Sequence, residues 1–232
     1  MKKIAVAIYG PPGSGKGTQA DLLSKQLNLI HFDAGAYIDE VVHDPKNRGN
    51  KMIQRQRRAF DSGALCDPLW VARLAVKRVR ELAEAGYGIV LSGSMRKVME
   101  TFGNNKQAGL LEALEKGYGR KNLFFFLIKV QPQTSLKRNS ARLVCAICGK
   151  PVLTQYMSGR PKGCPVCGGP LRKRTLDDPD VIKERLAVYK RDTNPIFKLL
   201  RKRGYKLRAI NGGQAPYIVN KEILNKLNHV FN

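Results

Sequence analysis

The chain has 232 residues and 43% hydrophobic content, enough for one main α/β core with small inserted pieces. Lys and Arg number 42 against 18 for Asp and Glu, and the formal charge of +24 predicts long-range, salt-screened attraction to polyanions. No run of 18 apolar residues occurs, and Met1-Lys2-Lys3 leads into a strand without a signal-peptide cleavage pattern, so no membrane span and a cytoplasmic location are expected.

The first element is an apolar run, Ile4 to Tyr9, which reads as a strand. It enters Gly10-Pro11-Pro12-Gly13-Ser14-Gly15-Lys16-Gly17-Thr18, and a helix-like run from Gln19 to Leu27 follows. Residues without a Cβ let successive N–H groups converge on one point, and a helix starting near Gly15 adds its positive end there. The spacing predicts a phosphate cradle from Gly13, Ser14, Gly15, Lys16, Gly17 and Thr18. Lys16 lies where β- and γ-phosphates would sit, and Thr18 can reach a magnesium ion or the α-phosphate. The strict P-loop pattern places Ser or Thr directly after the Lys; here Gly17 intervenes.

Leu29 to Asp33 reads as a second strand and Ala34 to Glu40 as the start of a helix, a second βα step of a parallel sheet. Gly49 to Asp61 is a basic helix closed by Ser62-Gly63, which suits a small helical insertion. Pro68 to Ala85 is amphipathic, with Leu69, Ala72, Leu74, Ala75, Val79 and Leu82 apolar. Gly86 to Leu91 is a buried strand running into the loop Ser92-Gly93-Ser94-Met95-Arg96. That loop lies at the carboxyl edge of the sheet, where ligands bind in open α/β folds. Leu110 to Lys116 is a short helix, Leu123 to Val130 a central strand, and Pro132 to Leu143 a helix. After the cysteine-bearing stretch, a long helix from Asp178 to about Arg203 is expected to kink at Pro195. Tyr205 to Ile210 is a last strand, Asn211-Gly212-Gly213 a turn and Ala215 to Val230 a closing helix. The basic clusters Arg55-Arg57-Arg58, Arg172-Lys173-Arg174 and Arg201-Lys202-Arg203 read first as solvated faces.

From Val144 to Lys173 the composition changes to Cys, Gly, Pro and Lys. Cys145-x2-Cys148 and Cys164-x2-Cys167 present two thiolate pairs on glycine-backed knuckles, a spacing that closes a tetrahedral shell around a structural zinc ion. Two disulfides fit poorly with a cytoplasmic chain. Cys66 reads as a small buried hydrophobe.

The Gly-x-Pro-Gly-x-Gly-Lys-Gly-Thr loop, the helical insertion and the arginine-flanked zinc ribbon together resemble the adenylate kinase family with a zinc-bearing lid. The resemblance implies an α/β, P-loop NTPase three-layer sandwich with a parallel sheet. Residues 1–34, 64–143 and 174–232 would form its core, 35–63 the acceptor-binding insertion and 144–173 the lid. It further implies ATP and a nucleoside monophosphate, most simply AMP, as substrates, with magnesium and structural zinc, in a chain acting as a monomer. By resemblance Lys16, Arg96, Arg142 and Arg185 would be catalytic. Arg138 would stack on the donor base, Arg142 would contact its phosphates, and Arg96 with Gly35 would meet the acceptor. Arg185 would neutralise transferring charge, and Asp177-Asp178 match the acidic pair after the lid.

The acceptor side departs from the family. Asp33-Ala34-Gly35-Ala36 stands for Ser-Thr-Gly-Asp, and Asp39 stands where the family has an arginine. Ser92 replaces the aspartate that helps organise magnesium, Ser94-Met95 replaces Phe-Pro, Glu100 falls near the glutamine that reads the acceptor base, and Thr175 replaces an arginine. An Asp39 carboxylate near a phosphate dianion is expected to repel it unless Arg55 or Arg58 swings in. Two further readings remain: an ATP-dependent enzyme with another acceptor, and a nucleotide-gated protein whose basic surface engages RNA or another polyanion.

Overall fold

The computed structural model describes residues 3–62, 64, 66–152, 154, 157, 159, 161–173 and 177–227. Gly63, Arg174, Thr175 and Val230, on which the sequence reading drew, lie outside the described residues. Five strands, β1 (Ala5–Tyr9), β2 (Ile30–Asp33), β3 (Ile89–Ser92), β6 (Leu123–Lys129) and β10 (Leu207–Asn211), form one sheet in the order β10-β6-β1-β3-β2. Every pairing in it is parallel, so each crossover carries helices onto a face.

Both faces of the sheet are covered, which is why β1 and β6 read as continuous apolar runs. Ala5, Ala7, Tyr9, Phe125 and Leu127 point to one side. There they meet α4 (Pro68–Glu84), α6 (Leu110–Tyr118) and α9 (Asn194–Lys202). Val6, Ile8, Phe124, Phe126 and Ile128 point to the other, against α1 (Lys16–Gln26) and α10 (Pro216–Asn225). Three layers result. A smaller core joins α2 (Ala34–His43), α3 (Lys51–Asp61) and the start of α4 through Val42, Ile53, Cys66 and Trp70. Cys66 is buried there, as expected of a small hydrophobe.

Several elements differ from the sequence reading. A short helix, α5 (Val98–Phe102), and a two-residue hairpin, β4 (Gly103–Asn104) with β5 (Gln107–Ala108), occupy a stretch the sequence left unread. The helix α7 (Pro132–Ser140) stops before Leu143, because Leu143 opens β7 (Leu143–Cys145). That strand pairs antiparallel with β8 (Pro151–Val152) and β9 (Leu171–Arg172), giving the cysteine module its own small sheet.

The long helix expected after Asp178 is two helices, α8 (Pro179–Val188) and α9, joined by a π-helical turn over Tyr189–Thr193. The irregularity therefore precedes Pro195, which sits in the first turn of α9. A proline has no N–H to give the preceding turn and its ring crowds the carbonyl four residues back, so the turn before it widens.

Candidate active site

The glycine loop leaves β1 at its carboxyl end and closes onto α1. Gly13 and Gly15 adopt φ of +74° and +92°, the left-handed region that glycine enters without steric cost. A Cβ on Gly13 would run into the Asn139 side chain and lie 2.9 Å from the Ser135 carbonyl, so α7 presses directly on the loop. Ser135 also donates its hydroxyl to the Pro12 carbonyl. Gly15 is the residue before α1 and has no side chain to cap it, which leaves the first N–H groups of the helix directed at the loop interior. The Ser14 hydroxyl is buried without a hydrogen-bond partner among the described residues. An orphaned buried donor inside a ring of amides fits a phosphate oxygen.

Lys16 folds over the loop and donates to the carbonyls of Gly10 and Pro11 at 2.8 and 2.9 Å. Burial, then the guanidinium groups of Arg96, Arg185 and Arg142, push its ammonium down to about 7, with Asp33 opposing them. Charge from three other segments thus reaches Lys16. The sequence-derived set Lys16, Arg96, Arg142 and Arg185 is brought together. Arg138 is turned to the far wall, where it donates to the Gly212 carbonyl at 2.8 Å and ties α7 to the turn after β10.

Arg96 is placed by a built loop. Glu100 is buried and accepts from the Met95 and Arg96 amides at 2.7 and 3.0 Å, and Thr193 donates to the Arg96 carbonyl at 2.9 Å. Met95 is held at φ +54° with its side chain buried. Burial pushes the Glu100 carboxyl up, while the bonds from the Arg96 amide and the Arg96 charge pull it back. Both oxygens of Glu100 are committed to the backbone, so it shapes the arginine loop and does not face a base.

The acceptor side is also rearranged. Asp33 accepts from the Gly35 and Ala36 amides at 2.8 and 3.3 Å and caps α2. Asp39 turns onto His43, 2.7 Å from Nδ1, and His43 Nε2 lies 3.0 Å from Asp61. This network ties α2 to α3, and the Asp39 charge is partly compensated where the sequence predicted bare repulsion.

The sequence reading missed His31 and Asp21. His31 Nδ1 is 2.7 Å from Asp21 Oδ1, and its Nε2 is 2.8 Å from Ser92 Oγ. Ser92 is buried at the end of β3 beside the loop. The Asp21 carboxylate can only accept, so the hydrogen in that contact lies on Nδ1, and Nε2 shares a second hydrogen bond with the Ser92 hydroxyl, which it orients. The only signal in the sequence was His31 two residues before Asp33, on the same side of β2.

In the cysteine module, Cys145 Sγ lies 3.4 Å from Cys167 Sγ and Cys148 Sγ lies 3.7 Å from Cys164 Sγ, with all four within 4.8 Å of one another. A disulfide needs about 2.05 Å. A zinc tetrahedron with Zn–S near 2.3 Å has S···S edges of about 3.8 Å, which these sulfurs fit. Amides of Cys148 and Ile147 point at Cys145 Sγ and hold its thiol down to about 6, toward the thiolate that a metal needs. Gly149 and Gly168 take left-handed φ of +67° and +72° behind the two knuckles.

Comparison with known proteins agrees with this geometry. A family profile described as adenylate kinase matches residues 8–205. The adenylate kinase of Petrotoga mobilis is 30% identical over 223 residues, covering 95% of either chain. That of Thermosipho africanus is 31% identical over 221 residues, 95% of this chain and 97% of its own. That of Caldicellulosiruptor saccharolyticus is 29% identical with the same coverage. The span matched by the family profile runs from within β1, through the glycine loop and the cysteine module, to just past α9, and the chain belongs to the adenylate kinase family.

Proposed function

We propose that the protein transfers the γ-phosphoryl group of ATP to AMP. The observation that carries this reading is the convergence of Arg96, Arg142 and Arg185 on Lys16 at the mouth of the glycine loop. A transferring phosphoryl group needs little covalent help; it needs alignment and positive charge where negative charge spreads. Loop amides with Ser14 and Lys16 would hold the donor β- and γ-phosphates. Arg142 and Arg185 would neutralise the group in flight, and Arg96 with Gly35 would place the acceptor phosphate. Arg138 would flank the donor base, its guanidinium already braced on Gly212.

Magnesium bound to the donor phosphates would supply charge neutralisation. Thr18 and the Ser92 hydroxyl, oriented by His31, are the groups of this chain suited to hold it and its waters. Zinc held by Cys145, Cys148, Cys164 and Cys167 would pin the module without taking part in transfer. We assign residues 1–34, 64–143 and 174–232 to the core, 35–63 to the acceptor insertion and 144–173 to a lid that excludes water. The clustered free thiols support a cytoplasmic setting.

A coupled assay with ATP, magnesium and each nucleoside monophosphate tests the reading. ADP formation from AMP that disappears in Lys16→Ala is the expected result; no transfer above that control would overturn it.

A further inference from the structure

We infer that the amino-terminal edge of the sheet, opposite the nucleotide cradle, is a binding surface for single-stranded nucleic acid. The parallel strands β10, β6, β1 and β3 all start at this edge, so the residues that lead into them meet there: Lys206, Lys121, Lys3 and Tyr87. With neighbouring strands about 4.8 Å apart, the four strand starts span roughly 14 Å.

Side-chain contacts knit this edge together. Arg120 donates to the Arg203 carbonyl and lies 4.3 Å over the Tyr205 ring, and Lys3 stands 5.5 Å over Tyr118. Arg120, Lys121, Lys202, Arg203 and Lys206 are exposed. Among the described residues the ion pairs on this edge involve Arg120 alone, through Glu115, whose carboxylate also accepts from the Tyr205 hydroxyl. Lys121, Lys202 and Lys206 carry no ion pair among the described residues and are available to phosphates.

Tyr87 decides the class of partner. Tyr87 is 53% exposed where the chain enters β3, and Ile30, at the start of the neighbouring β2, is 38% exposed. One ring beside one branched side chain gives a base a stacking platform next to a backbone-tracking groove. A bilayer-inserting surface needs a wider apolar face. From Lys3 to Tyr9 the strand covers about 20 Å, so this surface and the phosphate cradle can be filled together.

Fluorescence anisotropy of a labelled 20-nucleotide oligouridylate, titrated across a salt series, tests the assignment. The Lys121→Glu/Lys202→Glu/Lys206→Glu variant should bind at least about tenfold more weakly, with the slope of log K against log salt flatter by about 2. Tyr87→Ala should weaken binding about tenfold with the slope unchanged. Melting temperature, zinc content and phosphoryl transfer should match the parent in both. If the Glu variant fails to fold, the corresponding Gln substitutions read the same slope. Parent-like affinity and slope in the charge variants would overturn the proposal. So would an absence of salt-sensitive binding by the parent, or retention on phosphatidylserine vesicles that oligouridylate does not displace.

Discussion

Arg142 and Asp177 are joined at two points at the base of the cysteine module. Arg142 Nε donates to Asp177 Oδ2 at 2.8 Å, its terminal nitrogen donates to Oδ1, and the Asp177 side chain is 2% exposed. The pair links the end of α7 to the start of α8, the two segments from which the module projects. An arginine proposed to meet transferring phosphate is thus already oriented by a carboxylate. Asp177→Ala leaves that guanidinium unpaired and partly buried and should cost about 3 kcal/mol of stability, read from urea unfolding. It should also lower kcat, because Arg142 loses its fixed direction.

Lys16→Ala should abolish transfer, by about 10³-fold or more in kcat, while leaving zinc content unchanged. The pH behaviour of Lys16 follows from its depressed value of about 7. Phosphates favour the ammonium, so ATP binding above pH 7 should take up a proton and weaken as pH rises; calorimetry in buffers of different ionisation enthalpy measures this. For folding the sign is opposite. The unfolded chain holds the Lys16 proton up to its ordinary value, so stability should rise with pH above 7, and Lys16→Met should flatten that rise.

Removing zinc should unfold the cysteine module. The strands there are two or three residues long and cannot hold a sheet without the tether. Metal analysis should find about one zinc per chain. Cys164→Ser should lose it and most of the transfer activity, while ATP still protects the glycine loop from proteolysis.

Asp39→Arg should lower the KM for AMP about tenfold and leave the KM for ATP unchanged. It replaces a carboxylate near the acceptor dianion with a guanidinium. It also removes the Asp39–His43 pair within α2, so the gain should be accompanied by a small loss in melting temperature.

His31→Ala should raise the magnesium concentration needed for half-maximal activity about tenfold. Without the ring, the Ser92 hydroxyl loses the hydrogen bond that orients it. The KM for AMP should not move, which separates this role from general loosening of the site.

The glycine loop and the zinc knuckles were legible in the sequence because their chemistry is local. A phosphate cradle needs glycines at fixed offsets next to a lysine, and a zinc knuckle needs two thiols three residues apart. The parallel sheet was equally plain, since strand, turn and helix alternate along the chain. The π-helical turn at Tyr189–Thr193 was not legible: Pro195 announced an irregularity without saying on which side it falls. Nor was the role of Glu100, a carboxylate whose fate depends on which amides the loop from Ser92 to Arg96 presents to it.

The sequence by itself determined where anions and metal can be held, because backbone freedom at glycine and the reach of one side chain are properties of adjacent residues. Only the tertiary structure decided which charges act together. Arg96, Arg142 and Arg185 lie far apart in the chain, and their shared effect on Lys16 arises from the order in which parallel strands return to one edge. The same packing set His43 against Asp61 of α3, placed His31 between Asp21 and Ser92, and gathered cations at the opposite edge. Electrostatic energy depends on separation in space, which the linear order does not contain.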